Sequence, residues 1–368
     1  MRYIYQNKTW PRFFWDSQKI LTLLAKVRNL QGKLIGKMEA LGFQLRDEAA
    51  LETLTIEILK STEIEGEMLN PDQVRSSLAR RLGMDISGLV PSDGNVDGVV
   101  DLVLDAIRNY QDPLTKDRLL NWHFSLFPTG RSGMYKIKVG DWREDTTGPM
   151  QVVSGPMGKE KVHFQAPDSK QLDSEMDMFF HWVNNEDTID PVLKAAIAHL
   201  WFVTIHPFDD GNGRIARAIT DMLLTRSDGV AQRFYSMSAQ IRKERKGYYN
   251  ILEQTQKGTL DITKWLEWFL HCLLNALEGS EEILEKVLQK HRFWTRHAIT
   301  QLNDRQIKLI NKLLDGFHGK LTTGKWAKIA KCSNDTALRD IQDLLEKEIL
   351  IKDAAGGRGT NYLLAKFD

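Results

Sequence analysis

The chain has 368 residues, 42% of them hydrophobic, with 50 Lys and Arg against 49 Asp and Glu. That length suits two or three domains of ordinary size with real cores. The balanced charge argues against a global pull toward nucleic acid or anionic membrane, leaving only local patches. Cys272 and Cys332 are far apart and lack metal-ligand spacing, so a reducing cytoplasmic setting is expected. The opening "MRYIYQNKTWPRFFWDSQKI" has no apolar core of a signal peptide, and no apolar run approaches the ~20 residues of a membrane span.

Helical periodicity dominates. Residues 1–90 read as a helical region, with apolar-periodic stretches such as "SQKILTLLAKVRNL" and "EAALETLTIEILK". The Gly/Pro/Ser-rich "GMDISGLVPSDGNVDG" reads as a connector. A central region over 91–290 begins with the helix "VVDLVLDAIRNY". From Pro128 to Pro167 turn residues multiply, and "MQVVS" and "KVHFQ", joined by "GPMGKE", form an expected hairpin over 150–166. In "DPVLKAAIAHLWFVTI", Asp190 is the expected N-cap and Pro191 the first helical residue. Leu193, Ile197, Leu200, Trp201 and Thr204 keep helical spacing, so this helix should be buried. Ile215, Ile219, Met222 and Leu223 form a like stripe in "RIARAITDMLLTR". Residues 300–368 read as a separate small domain of three helices and two short strands around a glycine turn, the pattern of a winged helix-turn-helix. From Lys320 to Asp368 there are nine basic and seven acidic residues, a net of +2, and the third helix carries Asp335, Asp340, Asp343, Glu346 and Glu348 against Arg339 and Lys347. That balance is poor for a helix entering a major groove. Protein contact or dimer support is the preferred role, with DNA binding through groups such as Arg358 as the alternative.

Between the two core helices stands "HPFDDGNGR", His206 to Arg214. Pro207 disfavours helical geometry at His206, so the first helix should end there. Gly211 and Gly213 allow a sharp turn into the second helix, whose first N–H groups make an anion site. Arg214 and Arg217, three apart, can reach one anion, and two guanidiniums suit a polyphosphate. Asp210 offers a hard oxygen for Mg²⁺. His206 can act as a base. The alternative is a helix-joining loop in which the arginines pair with Asp209 and Asp210. The P-loop pattern is absent.

"HPFDDGNGRIAR", His206 to Arg217, resembles the complete signature of the Fic family, HPFx[DE]GNGRxxR. The resemblance implies a mainly α, Fic-type helical bundle with a small β-hairpin flap, here followed by the winged helix-turn-helix. It also implies transfer of AMP from ATP to a Ser, Thr or Tyr hydroxyl of a protein. His206 would take the proton of that hydroxyl. Asp210 would hold Mg²⁺, and Asn212 with the Gly211 and Gly213 amides would cradle the α-phosphate. Arg214 would hold the β-phosphate and Arg217 the γ-phosphate. Phe208 would point inward as an anchor. The hairpin lies where the family has its flap, along which a target segment would add as a strand. In "RKGYYNIL", Tyr249 is the expected nucleotide contact, with Tyr248 or plain core packing as the alternatives. Relatives that transfer only phosphate depart from the Gly-Arg of the loop, which this chain keeps as Gly213 and Arg214. UMP or another donor is less constrained, because the loop reads phosphates.

A second motif restrains the first. In "STEIEG", Ser61 and Glu65 are four apart on one helical face, and Gly66 can end the helix. Asn70 and Pro71 then start another. The pattern resembles the family's inhibitory helix, here about 48–66. By that resemblance Glu65 pairs with Arg217, so that bound ATP has its γ-phosphate displaced and its α-phosphate misaligned. In some relatives the same glutamate supports removal of AMP. The opening "YIYQNKTWPRFFWD" also resembles the N-terminal region of many bacterial members. The expected partner is a protein target docked on the flap; self-modification, a homodimer, DNA binding and use of the core as a nucleotide sensor stay open.

Overall fold

The computed structural model describes residues 3–84, 89–146, 148–155, 159–314, 316–317, 319–353 and 360–366, apart from the side chain of Gln44. Residues 1–83 and 90–281 make one unit, and residues 84–89 with 282–368 a second. The N-terminal helical region and the central region therefore fold together.

In the first unit the helices are α1 (Ser17–Glu39), α2 (Phe43–Ile64), α3 (Pro71–Leu82), α4 (Gly94–Arg108), α5 (Lys116–Leu126), α6 (Leu172–Asn185), α7 (Pro191–Ile205), α8 (Asn212–Asp228), α9 (Met237–Lys243) and α10 (Arg245–Gln256), followed by the start of α11 (Thr263–Arg296). Between α5 and α6 lie two antiparallel hairpins, β1 (Arg131–Ser132) with β2 (Tyr135–Lys136) and β3 (Gln151–Ser154) with β4 (Lys161–Gln165). No described helix is long and apolar enough to cross a membrane.

The core is built around α7 and α8, which pack against each other. Every residue of α7 from Ala195 to Ile205 is buried, as befits a helix that is apolar on nearly all sides. Its start follows the sequence pattern: Asp190 Oδ1 accepts from Val192 N at 2.8 Å, and Pro191 is the first helical residue. Asn70 caps α3 through Asp72 N at 2.9 Å and Gln73 N at 3.2 Å. The expected connector is shorter than its composition suggests. Asp93 Oδ1 accepts from Val96 N at 2.9 Å and starts α4 at Gly94. The cap and the buried stripe Val96, Val99, Val100 and Val103 outweigh the helical cost of the glycines. Residues 85–88 of that connector lie outside the described residues.

Helix α2 extends from Phe43, earlier than its sequence periodicity suggests, and is tied to α9 and α10 along its C-terminal half. Glu57, buried, accepts from Ser236 Oγ at 2.7 Å and Ser238 N at 3.1 Å. Arg242 pairs with Glu63 at 3.0 Å, and Arg245 Nε donates to the Ile64 carbonyl at 2.8 Å. The end of α2 is thus held by side chains from two other helices.

The β3–β4 hairpin forms where alternation placed it; part of its turn, residues 156–158, lies outside the described residues. Val152 faces Phe164 and Val153 faces Val162, so a bulge leaves His163 without a partner across the ladder. The aromatic N-terminus supports its inner side. Tyr3 and Tyr5 pack edge-on against buried Phe164, and Tyr5 Oη donates to the Ala166 carbonyl at 3.3 Å.

The second unit holds α12 (Asp304–Leu314), α13 (Thr323–Ala330) and α14 (Asn334–Glu346), and the antiparallel pair β5 (Leu350–Lys352) and β6 (Tyr362–Leu364). Phe293, Leu309, Trp326, Ile341 and Leu344 form its core. Arg358 lies outside the described residues. The acidity counted on α14 is partly internal. Buried Asp340 takes Arg305 through two bonds, at 2.7 and 2.8 Å, and Asp343 accepts from Gln306 at 2.6 Å and Lys347 at 2.5 Å. Asp340→Ala should lower the stability of the second unit by about 1–3 kcal/mol, since Asn303 Nδ2 also donates to this carboxylate, at 3.0 Å. Chemical denaturation followed through Trp326 and Trp294 measures this, and an unchanged midpoint would contradict it.

Candidate active site

The loop between α7 and α8 is locked from three directions. Helix α7 stops at His206, which adopts a left-handed backbone with φ of 54°. Arg143, buried, donates its Nε to the His206 carbonyl at 2.8 Å and its Nη2 to the Pro167 carbonyl at 2.6 Å. Its own N–H donates to the Pro207 carbonyl at 2.9 Å. Phe208 is fully buried and stacks on His123 at 4.0 Å, as its expected anchoring role requires. Asn212 then staples the loop closed: its Oδ1 accepts from Phe208 N at 3.0 Å and its Nδ2 donates to the Phe208 carbonyl at 2.7 Å. The Asn212 side chain is thus committed to holding the loop, which leaves its main-chain N–H to face a ligand.

Gly211, in the left-handed region, is the residue before α8, and no side chain caps that helix. Its first N–H groups form an anion site carrying partial positive charge. His206 stands beside it. Its Nδ1 lies 3.2 Å from the Val203 carbonyl. A carbonyl only accepts, so Nδ1 carries the proton and Nε2 keeps its lone pair. Desolvation pulls the His206 pKa down to about 4, keeping the ring neutral at physiological pH. Asp210 has its carboxylate positioned by Ser132 Oγ at 2.5 Å and Gly211 N at 2.6 Å, and Asp209 accepts from Lys138 N at 2.9 Å.

Neither arginine pairs with these aspartates. Arg217, buried, donates Nε to Ser61 Oγ at 2.9 Å and Nη2 to the Ser61 carbonyl at 2.8 Å, and its Nη2 lies 2.8 Å from Glu65 Oε1. Arg214, also buried, pairs through Nη1 with Glu67 Oε2 at 2.9 Å, while Asn95 Nδ2 donates to the other oxygen of Glu67 at 2.5 Å. The turn explains both contacts. Gly66 takes φ of 90°, and Glu67 N donates back to the Thr62 carbonyl at 3.1 Å. The helix ends in this left-handed turn, so Glu65 and Glu67 emerge toward the two arginines. Glu65 also sits against α8 itself: a Cβ on Gly213 would lie 2.1 Å from Glu65 Oε1. Only glycine admits the carboxylate so close to the helix N-terminus.

These groups face a cavity of about 500 Å³ lined by Glu65, His206, Asp210, Gly211, Asn212, Gly213, the β3–β4 hairpin and α10, a size suited to a nucleotide. Tyr249 on α10 lines it, is 36% exposed, and carries Arg245 over its ring at 5.1 Å. Tyr248 also reaches the wall, but its hydroxyl lies 2.8 Å from His199 Nε2. Thr220 Oγ1 donates to the Ala216 carbonyl, so it accepts from His199 Nδ1 at 2.8 Å and leaves Nε2 to accept from Tyr248. Tyr248 is therefore a strut between α7 and α10, while Tyr249 stands on the cavity wall.

The donor set fits Mg²⁺. Among the described residues no group of three or more His, Cys, Asp and Glu is arranged to hold a metal. Asp210 offers a hard carboxylate beside the anion site, and Mg²⁺ is commonly held by one or two carboxylates with substrate phosphates and water. Sequence reasoning missed Arg143, Glu67, Ser132 and the pair His163–Glu253, in which Nδ1 lies 2.6 Å from Oε2. Each acts across a long sequence separation or a turn and leaves no periodic signal.

Residues 113–224 match the model of the Fic/DOC family, and residues 3–84 match that of a domain of unknown function, DUF4172. Protein adenylyltransferase Fic of Drosophila grimshawi is 34% identical over 105 residues, 28% of this chain and 20% of that protein. The protein of the same name from Drosophila melanogaster shows the same identity and coverage. The chain thus aligns with about a fifth of the length of these curated relatives. A Fic family protein from Desulfovibrio desulfuricans G20 superposes with a TM-score of 0.52 at 21% identity, over 96% of this chain and 98% of that one. A Fic domain containing signaling protein from Bacteroides thetaiotaomicron VPI-5482 gives 0.52 at 21%, over 71% of this chain and 97% of that one. These two likenesses show the fold.

Arg143→Ala should free the loop while the two core helices stay packed. Amide exchange at Phe208 and Gly211 should quicken by about tenfold or more, corresponding to about 1.4 kcal/mol of lost local protection. Equal protection in both proteins, read by hydrogen–deuterium exchange, would contradict the clamp.

Proposed function

We propose that this chain, which carries a Fic/DOC family domain over residues 113–224, transfers AMP from ATP to a hydroxyl of a protein and is restrained by the end of its own helix α2. The observation that carries the reading is the convergence on one cavity of a neutral His206, an uncapped helix N-terminus and the Glu65 carboxylate that pairs with Arg217.

ATP would lie with its base near Tyr249 and its phosphates at the start of α8. The target hydroxyl loses its proton to His206 Nε2, the atom left free by the Val203 contact. Its oxygen bonds to the α-phosphorus as the bond to the β-phosphate oxygen breaks, and pyrophosphate leaves. Charge developing on the α-phosphate would face the Asn212, Gly213 and Arg214 amides, in place of the expected Gly211 amide, which donates to Asp210 Oδ1 at 2.6 Å. Asp210 would hold Mg²⁺, which when bound offsets charge on the phosphates. The β3–β4 hairpin would receive the target segment as an added strand.

Glu65 and Glu67 keep both arginines occupied. A γ-phosphate competing for Arg217 meets the Glu65 carboxylate, so ATP enters in a shifted pose with its α-phosphate out of line. A misplacement of about 1 Å can cost on the order of 10²-fold in rate. The second unit, read as a winged helix-turn-helix, is assigned to protein contact.

With α-labelled ATP and Mg²⁺ in a cell lysate, Glu65→Gly should label proteins severalfold or more above wild type, and Glu65→Gly with His206→Ala should label none of those targets. Equal labelling by wild type and Glu65→Gly would remove the inhibitory role, and labelling of lysate proteins, as distinct from the chain itself, that survives His206→Ala would remove the base.

Glu67→Gln should act mainly on binding. Releasing Arg214 from a partly exposed carboxylate should lower KM for ATP by about 2–5-fold, the value of a pair worth ~0.5–1 kcal/mol, with a smaller change in kcat. An unchanged KM would contradict it.

The pH dependence follows from His206. Its pKa is lowered, so the base form persists well below the usual value of about 6.5. Rates for Glu65→Gly should stay level from pH 8 to 6 and fall only as pH drops toward about 4. An acid limb centred near pH 6.5 would contradict the assignment.

A further inference from the structure

The flap presents an arrangement of its own on the same cavity. Ser154, at the end of β3, has its Oγ 2.6 Å from His163 Nε2, and His163 Nδ1 lies 2.6 Å from Glu253 Oε2 on α10. Glu253 is also held by Lys257 at 2.5 Å. A carboxylate oxygen only accepts, so His163 carries its proton on Nδ1. Its Nε2 is then the acceptor for the Ser154 hydroxyl. Hydrogen bonds from Lys257 and His163 hold Glu253 down at about 2, so it stays ionised. This is the hydrogen-bonding order of an activated nucleophile: hydroxyl, imidazole, carboxylate.

The bulge in β4 contributes to the arrangement. It takes His163 out of register with β3 and re-aims its side chain. Among the described residues that line the cavity, Ser154 is the one with an aliphatic hydroxyl, and Tyr248 is committed to His199. Ser154 is solvent-exposed, so hydrogen-bond satisfaction alone does not call for a built partner.

We propose that Ser154 is an acceptor of the nucleotidyl group within this chain, activated by His163 and Glu253. This rests on the transfer reading given above and names a substrate for it. In the step, Ser154 Oγ bonds to the α-phosphorus of ATP, and the bond from that phosphorus to the β-phosphate oxygen breaks. Pyrophosphate leaves with the electron pair. The Ser154 proton passes to His163 Nε2, and the Glu253 carboxylate balances the imidazolium. The product is a phosphodiester on the flap edge. AMP there would occupy the strand where a target segment docks, so self-transfer would compete with transfer to others.

The test uses the full chain carrying Glu65→Gly, incubated with Mg²⁺ and ATP, with peptide mass mapping of the adduct and lysate labelling run in parallel. The expected result is a gain of one AMP on Ser154. It should be lost in Ser154→Ala, kept in Ser154→Thr, and slowed by about 10²-fold in His163→Gln, the contribution of a general base. An adduct mapped elsewhere and unaffected by Ser154→Ala overturns the proposal. So does a rate unchanged in His163→Gln, which would leave the trio as a latch between flap and α10. Labelled lysate proteins with no adduct on the chain overturn this proposal alone, whereas no label on either overturns the transfer reading beneath it.

Discussion

A carboxylate sits where helix α8 and Arg217 call for an anion. The uncapped N-terminus of α8, the absence of a Cβ at Gly213 and the guanidinium of Arg217 together make a site for negative charge. Glu65 supplies that charge from within the chain, and Ser61 completes the coordination of Arg217 from one turn earlier. Much of the surrounding structure serves this contact. Glu57, Arg242 and Arg245 fix the end of α2, and Gly66 turns the chain so that Glu67 meets Arg214.

If Glu65 restrains transfer as proposed, the energetics favour a brake over a permanent lock. Arg217 is buried and would be costly to leave without an anion. Glu65 is about one-third exposed, at 32% of its side chain, so its withdrawal into water carries little desolvation cost. A phosphate can therefore replace it at Arg217 with similar electrostatics. On that proposal the pairing of a buried cation with a partly exposed anion would make the exchange one-sided: the arginine would stay and the carboxylate would move. The same holds at Arg214, where Glu67 is the more exposed partner.

What could be read in advance was local. Asp190 with Pro191, Asn70 with Pro71, and Pro207 after His206 mark helix ends through single-residue chemistry, and each end falls where that chemistry places it. Ser61 and Glu65 share a face because a helix repeats every 3.6 residues, and both reach Arg217. Arg143 was not legible, because its partners lie at residues 167 and 206–207 and nothing in "GDWRED" marks a buried cation. Glu67 lies beyond the helix, where face arguments stop, and its direction depends on the left-handed Gly66. His163 was hidden by the bulge, since simple alternation assigns it to a regular ladder position. The role of Tyr248 needed three dimensions, because only the packing of His199 shows that its hydroxyl bonds across to α7.

The central claim is that Glu65 limits transfer by misdirecting ATP at Arg217. The most direct measurement is pyrophosphate release at saturating Mg²⁺ and ATP, with lysate proteins as acceptors, for wild type and Glu65→Gly, beside the Kd for ATP of each. The account predicts a rate several times higher or more for Glu65→Gly at saturation, with a smaller change in Kd. Equal rates at saturation would contradict it, since the carboxylate would then have no effect on the alignment of the bound nucleotide.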